Sequence, residues 1–189
     1  MRTRTGRLAA TLTASLVALT AGCAVDGTRQ GAAPEGETTA GASGPGPAET
    51  PAWQGKADQE DAIRDAASAL DAGESEGARR IDEGMVRLSE GLTWTLSADG
   101  APHTLAVTCQ APGPRSLTLT LTRGSAHSEW DVTCGDREAD RFAVPAGSTF
   151  TAHIPAAGPG VDALVLWRFD AEDPADVDGC PDDIAGCDT

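Results

Sequence analysis

The chain has 189 residues, with 14 Lys and Arg against 29 Asp and Glu, a formal charge of −15, and 40% hydrophobic residues. So acidic a chain lacks the basic face that counterion release at phosphates requires, which argues against nucleic acid as a partner. The length allows one domain with flanking segments, and the apolar content suits a modest core rather than a multi-span membrane protein.

Arg2, Arg4 and Arg7 precede an apolar run from Leu8 to Leu19 that ends in small residues, the pattern of an export signal over residues 1–22. The run is too short for a permanent membrane span. Its closing segment, Leu19-Thr20-Ala21-Gly22-Cys23, resembles the lipobox of bacterial lipoproteins, with Thr20 where the family prefers Leu. The resemblance implies that Cys23 is thioether-linked to diacylglycerol and becomes the mature N-terminus, on the outer face of the cytoplasmic membrane. Secretion after a small residue such as Ala24 is the alternative. Without residues 1–22 the chain keeps eleven cations and all 29 acids, a charge of −18. Such an anion is repelled by acidic headgroups, so the lipid is the expected membrane attachment.

Five cysteines fit this reading, because lipidation of Cys23 leaves Cys109, Cys134, Cys180 and Cys187 to pair in an oxidising compartment. Four cysteines allow three connectivities, and sequence proximity favours Cys109 with Cys134 and Cys180 with Cys187.

Residues 23–55 are rich in Ala, Gly, Pro, Glu, Ser and Thr and read as a flexible tether with a reach of ~30 Å. A helical segment is expected over 56–83, with the helix itself from Lys56 to Ala72. Asp58 would be its N-cap, and Ala62, Ile63, Ala66, Ala67 and Leu70 its apolar stripe. Glu60 precedes Arg64 at the favourable i,i+4 spacing, and Gly73 would end the helix. Residues 74–83 are polar, with no clear period.

From Gly84 the period becomes two. Leu105, Val107 and Cys109 alternate with polar or small residues, and Leu117, Leu119 and Leu121 alternate with Thr118, Thr120 and Thr122. Trp130, Val132 and Cys134 continue the pattern, followed by Phe142 with Val144 and by Phe150, Ala152 and Ile154. Ala163 to Phe169 is apolar on both faces, as in a central strand. Pro and Gly turn signals punctuate the runs, so residues 84–169 predict an antiparallel β-sandwich preceded by a short helix, a mainly β fold. Core parity places Cys109 and Cys134 within reach of one another. Residues 170–189 carry eight acids and no Lys or Arg, which predicts a solvated acidic tail stapled by Cys180 and Cys187.

The chain resembles small exported lipoproteins of high-GC Gram-positive bacteria. The resemblance rests on the lipobox, the Ala/Gly/Pro-rich tether and a β-domain carrying Leu105-Ala-Val-Thr-Cys109, Val132-Thr-Cys134-Gly135 and Leu164-Val-Leu-Trp167. It implies no settled activity.

Four patterns could carry chemistry. Gly73-Glu74-Ser75-Glu76-Gly77 matches G-x-S-x-G, but it follows a helix instead of a strand, and its glutamates disfavour an oxyanion. His127, Glu129 and Asp131 share one strand face, yet neighbours there lie ~6.7 Å apart, too far to share a metal without a bend. Asp173, Asp176, Asp178, Asp182 and Asp183 suggest calcium, with Asp176 and Asp178 as the main candidates, but Pro174 and Ala185 occupy the first and last places of an EF-hand alignment. Trp94, or Trp53, could stack on a sugar, while Trp130 and Trp167 sit at core parity. No cofactor is called for. The expectation is a lipid-anchored, non-enzymatic binding or surface module with an envelope protein as partner, the alternative being a module that binds cell-wall glycan.

Overall fold

The computed structural model describes residues 51–177, 179 and 181–187. Cys23, Asp178 and Cys180 lie outside the described residues. One helix, α1 (Lys56–Asp71), precedes eight strands: β1 (Arg79–Arg87), β2 (Leu92–Ala98), β3 (His103–Gln110), β4 (Ser116–Arg123), β5 (Ala126–Thr133), β6 (Asp140–Val144), β7 (Ser148–Ile154) and β8 (Leu164–Ala171). They form two four-stranded antiparallel sheets, in the orders β1-β8-β3-β6 and β2-β7-β4-β5. The mainly β sandwich expected from the two-residue period is the fold of the protein.

The inner faces supply the core. Leu105, Val107, Phe142, Val165 and Phe169 of the first sheet pack with Leu117, Leu119, Leu121, Phe150 and Ile154 of the second. Each large side chain buried so completely contributes roughly 1.5–3 kcal/mol. Ring contacts cross between the sheets: Trp94 meets Trp167 at 5.1 Å, and Trp130 meets Phe142 at 5.4 Å. The Cys109–Cys134 disulfide joins β3 to the residue following β5, and so ties one sheet to the other.

The outer faces differ. On the second sheet, Thr and Ser side chains form exposed cross-strand pairs, such as Ser97 with Thr149 at 3.1 Å. The first sheet is covered by α1, whose buried residues Ala62, Ala66, Ala69 and Leu70 leave room for close approach to Ala106, Leu164 and Leu166. This second layer buries the outward-facing Leu164 and Leu166, which is why the first part of β8 reads as apolar on both faces.

Local details of α1 depart from expectation. The helix begins at Lys56 with Gly55 as N-cap, so Asp58 is the third helical residue and accepts the Gln54 N–H at 3.0 Å. A carboxylate there still answers free amides and the helix dipole. Ala67 is exposed and Ala69 takes its place in the stripe. Arg64 pairs with Asp61 at 2.7 Å and Glu60 with Lys56 at 3.4 Å, in place of Glu60 with Arg64.

The first strand begins at Arg79, inside the segment without clear period. The last strand extends past Phe169 to Ala171, so Asp170 belongs to a buried strand. Beyond it, the chain is not simply a solvated tail. Ile184 is 2% exposed within the core cluster, and Asp183 forms two bonds with Ala143 of β6, its amide donating at 2.9 Å and its carboxylate accepting at 2.6 Å. Asp182 pairs with Arg123 and accepts the Ile184 and Ala185 amides, both at 3.1 Å.

Candidate functional site

Outward-facing residues of β8 continue Leu164, Leu166, Arg168, Asp170, a series that starts apolar under the helix and becomes charged where the helix stops. Past Asp71, the chain turns down onto Arg168. Its Nη1 donates to Glu74 Oε2 at 2.6 Å and its Nη2 to Asp71 Oδ1. Arg80 of β1 approaches the same Glu74 at 3.5 Å and Glu83 at 3.3 Å. From the other side Arg141 donates to the Leu70 carbonyl at 2.6 Å, placing a cation at the helix C-terminus.

Burial alone would weaken the charge of Arg168, but the Asp71 bond and the nearby carboxylates of Asp170 and Glu74 outweigh it and hold the guanidinium above its ordinary pKa. Burial lowers the pKa of Arg141, with Asp170 opposing. Asp170 is 1% exposed, and among the described residues neither of its carboxylate oxygens has a hydrogen-bond partner. Burial raises its pKa above the usual carboxylate value, against the pull of Arg168, and Glu74 adds to the rise.

Beside this network an open groove of about 450 Å³ runs between α1 and β1. Ile63, Ala67, Leu70, Met85, Leu166 and Trp167 supply its apolar lining, while Asp71, Arg80, Glu83 and Arg168 supply the charges. The strand bordering it is an edge strand, since among the described strands β1 pairs only with β8. Met85, at 54%, and Ile81, at 40%, are the exposed large hydrophobic residues of the described chain, and both belong to β1. Ile81 marks an irregularity in the β1–β8 register between Arg80 and Asp82, whereas Asp82 to Arg87 pairs without interruption. The arrangement offers unpaired backbone on one flank and an apolar trough behind it, the elements that hold an added strand.

The residues singled out by sequence occupy other places. Ser75 lies in the connection between α1 and β1, with no strand before it. His103, which borders the same cavity as Ser75, directs Nδ1 to the Ala101 carbonyl at 2.8 Å and stacks on Phe169. His127, Glu129 and Asp131 stand exposed on β5, opposite Thr122, Thr120 and Thr118. Among the described residues no three His, Cys, Asp or Glu side chains gather as metal ligands. Among the described aspartates of the calcium reading, Asp173 accepts the Ala175 amide, Asp182 and Asp183 bind their own neighbours and partners, and Asp176 borders a cavity. Cys109 and Cys134 are bonded to each other, and Cys187 is disulfide-bonded. All four Trp are at least partly buried. Trp94 turns inward against Trp167 rather than outward, and Trp53 packs on the cluster of Ala66, Leu70 and Leu164.

The sequence reading missed Arg168, Asp170 and β1. A signal was present for the first two, because Arg168 and Asp170 continue the alternation of Leu164 and Leu166. Comparison with protein-family models, curated proteins and solved structures finds no match to this chain.

Proposed function

We propose that the protein is a lipid-anchored, extracytoplasmic, non-enzymatic module that receives an extended segment of an envelope protein against β1, its apolar side chains entering the groove behind. The lipobox-like Leu19–Cys23 segment supports the anchor. The Cys109–Cys134 disulfide supports an oxidising compartment. The observation that carries the binding role is the coincidence of both exposed large hydrophobics with an open sheet edge beside an apolar trough. Isolated edge strands invite pairing, and Met is an adaptable contact surface. The Arg and carboxylate side chains at the rim are mutually paired, so the groove selects on shape and apolarity more than on charge.

Two experiments test the two halves. Cys23→Ala should release the protein from the membrane fraction, and retention of that variant there overturns the anchor. For the groove, a photo-crosslinking side chain at position 85 should capture a defined segment of alternating apolar residues in an envelope protein, while one at position 120, on the opposite face, should not. Met85→Glu should abolish the capture without unfolding the domain. Binding to cell-wall glycan that survives Met85→Glu, with no crosslink at position 85, would replace this reading with the glycan-binding one.

A further inference from the structure

Cysteine sulfur among the described residues is bonded: Cys109 to Cys134, with Cys187 also in a disulfide. That leaves Met85 as the reduced sulfur among them, Met1 being the other methionine of the chain. Met85 is 54% exposed, more than Ile81 at 40%, and it lies on the free edge strand β1 in the lining of the groove. Leu166 stands opposite it in the β1–β8 register, and Ile63 and Leu70 extend the apolar lining.

A thioether so placed is open to oxidants that donate an oxygen atom. The sulfur attacks a peroxide: the S–O bond forms as the O–O bond breaks, sulfur is oxidised by two electrons, and the peroxide is reduced to water or an alcohol. The sulfoxide that results puts a polar group where an adaptable apolar side chain stood. Water satisfies its oxygen while the groove is open. Beneath a docked strand that oxygen would need a donor from the protein, and the guanidinium groups of the groove are paired already, Arg168 with Asp71 and Glu74 and Arg80 with Glu74 and Glu83. The remaining donor of Arg168, Nε, is buried. A polar oxygen covered without a donor disfavours the docked state. Ile81 has no atom that the same reagent attacks, so the effect falls on one residue of β1.

We propose that Met85 is a reversible oxidation site through which peroxide closes the β1 groove to its partner, a regulation that rests on the strand-docking reading of that groove. Methionine sulfoxide reductases, one for each sulfoxide epimer, restore the thioether: the oxygen leaves as water while two thiols are oxidised to a disulfide.

The test uses the full chain with a photo-crosslinking side chain in place of Ala67, an exposed residue on the α1 side of the groove, before and after treatment with hydrogen peroxide. Peptide mass analysis should find one added oxygen atom at Met85. Capture of the envelope segment should fall at least tenfold on oxidation and return after treatment with the reductases and a thiol. Met85→Leu should still capture and should lose the sensitivity to peroxide, while Met85→Gln, polar without any oxidant, should capture as poorly as the oxidised protein. Met85 left unoxidised by a dose that converts free methionine, capture that survives complete conversion, or peroxide sensitivity that persists in Met85→Leu overturns this inference and leaves the docking reading standing. Capture absent before any oxidant is added overturns the docking reading, and the inference with it.

Discussion

Replacing both cysteines of the inter-sheet bridge, Cys109→Ala with Cys134→Ala, probes how far the sandwich relies on covalent closure. The two residues are 25 apart in sequence. For a loop of about that length the chain-entropy relation gives ~3.5 kcal/mol at 25 °C, gained by restricting the unfolded chain. A domain of this size loses about 3–5 °C of melting temperature per kcal/mol, so the double variant should melt roughly 10–17 °C lower. Cys109 is fully buried, and the volume lost to Ala there adds to the cost. Urea denaturation of the oxidised protein and the double variant measures both effects. The midpoint should fall, and the m-value should rise because the unfolded chain without its cross-link exposes more surface. A reducing agent would be a poorer test, since Cys187 is also disulfide-bonded. A loss of stability below about 1 kcal/mol with an unchanged m-value would refute the view that this bridge restrains the unfolded state.

Three further substitutions test buried features individually. The Asp170 carboxyl has its pKa raised by burial, so the folded state binds that proton more tightly than the unfolded one, and stability should fall as pH rises through the folded pKa. Asp170→Asn should flatten that dependence and stabilise the domain near neutral pH by about 1 kcal/mol, which denaturation at pH 4.5 and 7 would reveal. For Asp182, burial pushes the pKa up, but the Arg123 hydrogen bond and the Ala185 and Ile184 amides pull it further down. Its contribution is therefore present above the unfolded carboxylate pKa and lost as pH falls through the folded value. Asp182→Ala should cost roughly 1–3 kcal/mol at pH 7 and little at pH 2, by the same measurement. Gly84 faces Trp167 so closely that a Cβ would lie 2.8 Å from Cζ2 of the indole. Gly84→Ala should destabilise by about 1–3 kcal/mol and alter the near-ultraviolet signal of the Trp94–Trp167 pair.

The fold was legible where one physical constraint acted on many residues. Leu117, Leu119 and Leu121 alternate with threonines because one face of β4 meets the core and the other meets solvent. The apolar run at 163–169 announced a central strand because α1 covers the face that the sandwich leaves outside. The strand Arg79–Arg87 was not legible. At an edge, with most of its residues exposed, it needs no apolar alternation, and its pairing with β8 is supplied by backbone bonds that composition does not encode. The helix starts at Lys56 as expected, but its N-cap was misread for a related reason: Gly55 supplies the cap through backbone conformation alone, whereas Asp58 carries the side chain usual at that position.

The candidate surfaces were harder to foresee because each joins residues distant in sequence. Arg168 and Asp71 are 97 positions apart, and neither looks unusual in its local segment. The acidic composition misled most at the chain end. Eight acids after Arg168 suggest uniform solvation, yet Asp170 is buried, Asp182 holds an ion pair, and Asp183 extends the bonding of β6. An acidic segment can stay with a core when its carboxylates find amides or guanidinium groups there, as Asp182 and Asp183 do. Glu172 finds neither for its Oε2. That contrast between neighbouring acids of one segment is invisible to a count of charges, because it depends on which backbone amides and guanidinium groups the fold brings to each carboxylate.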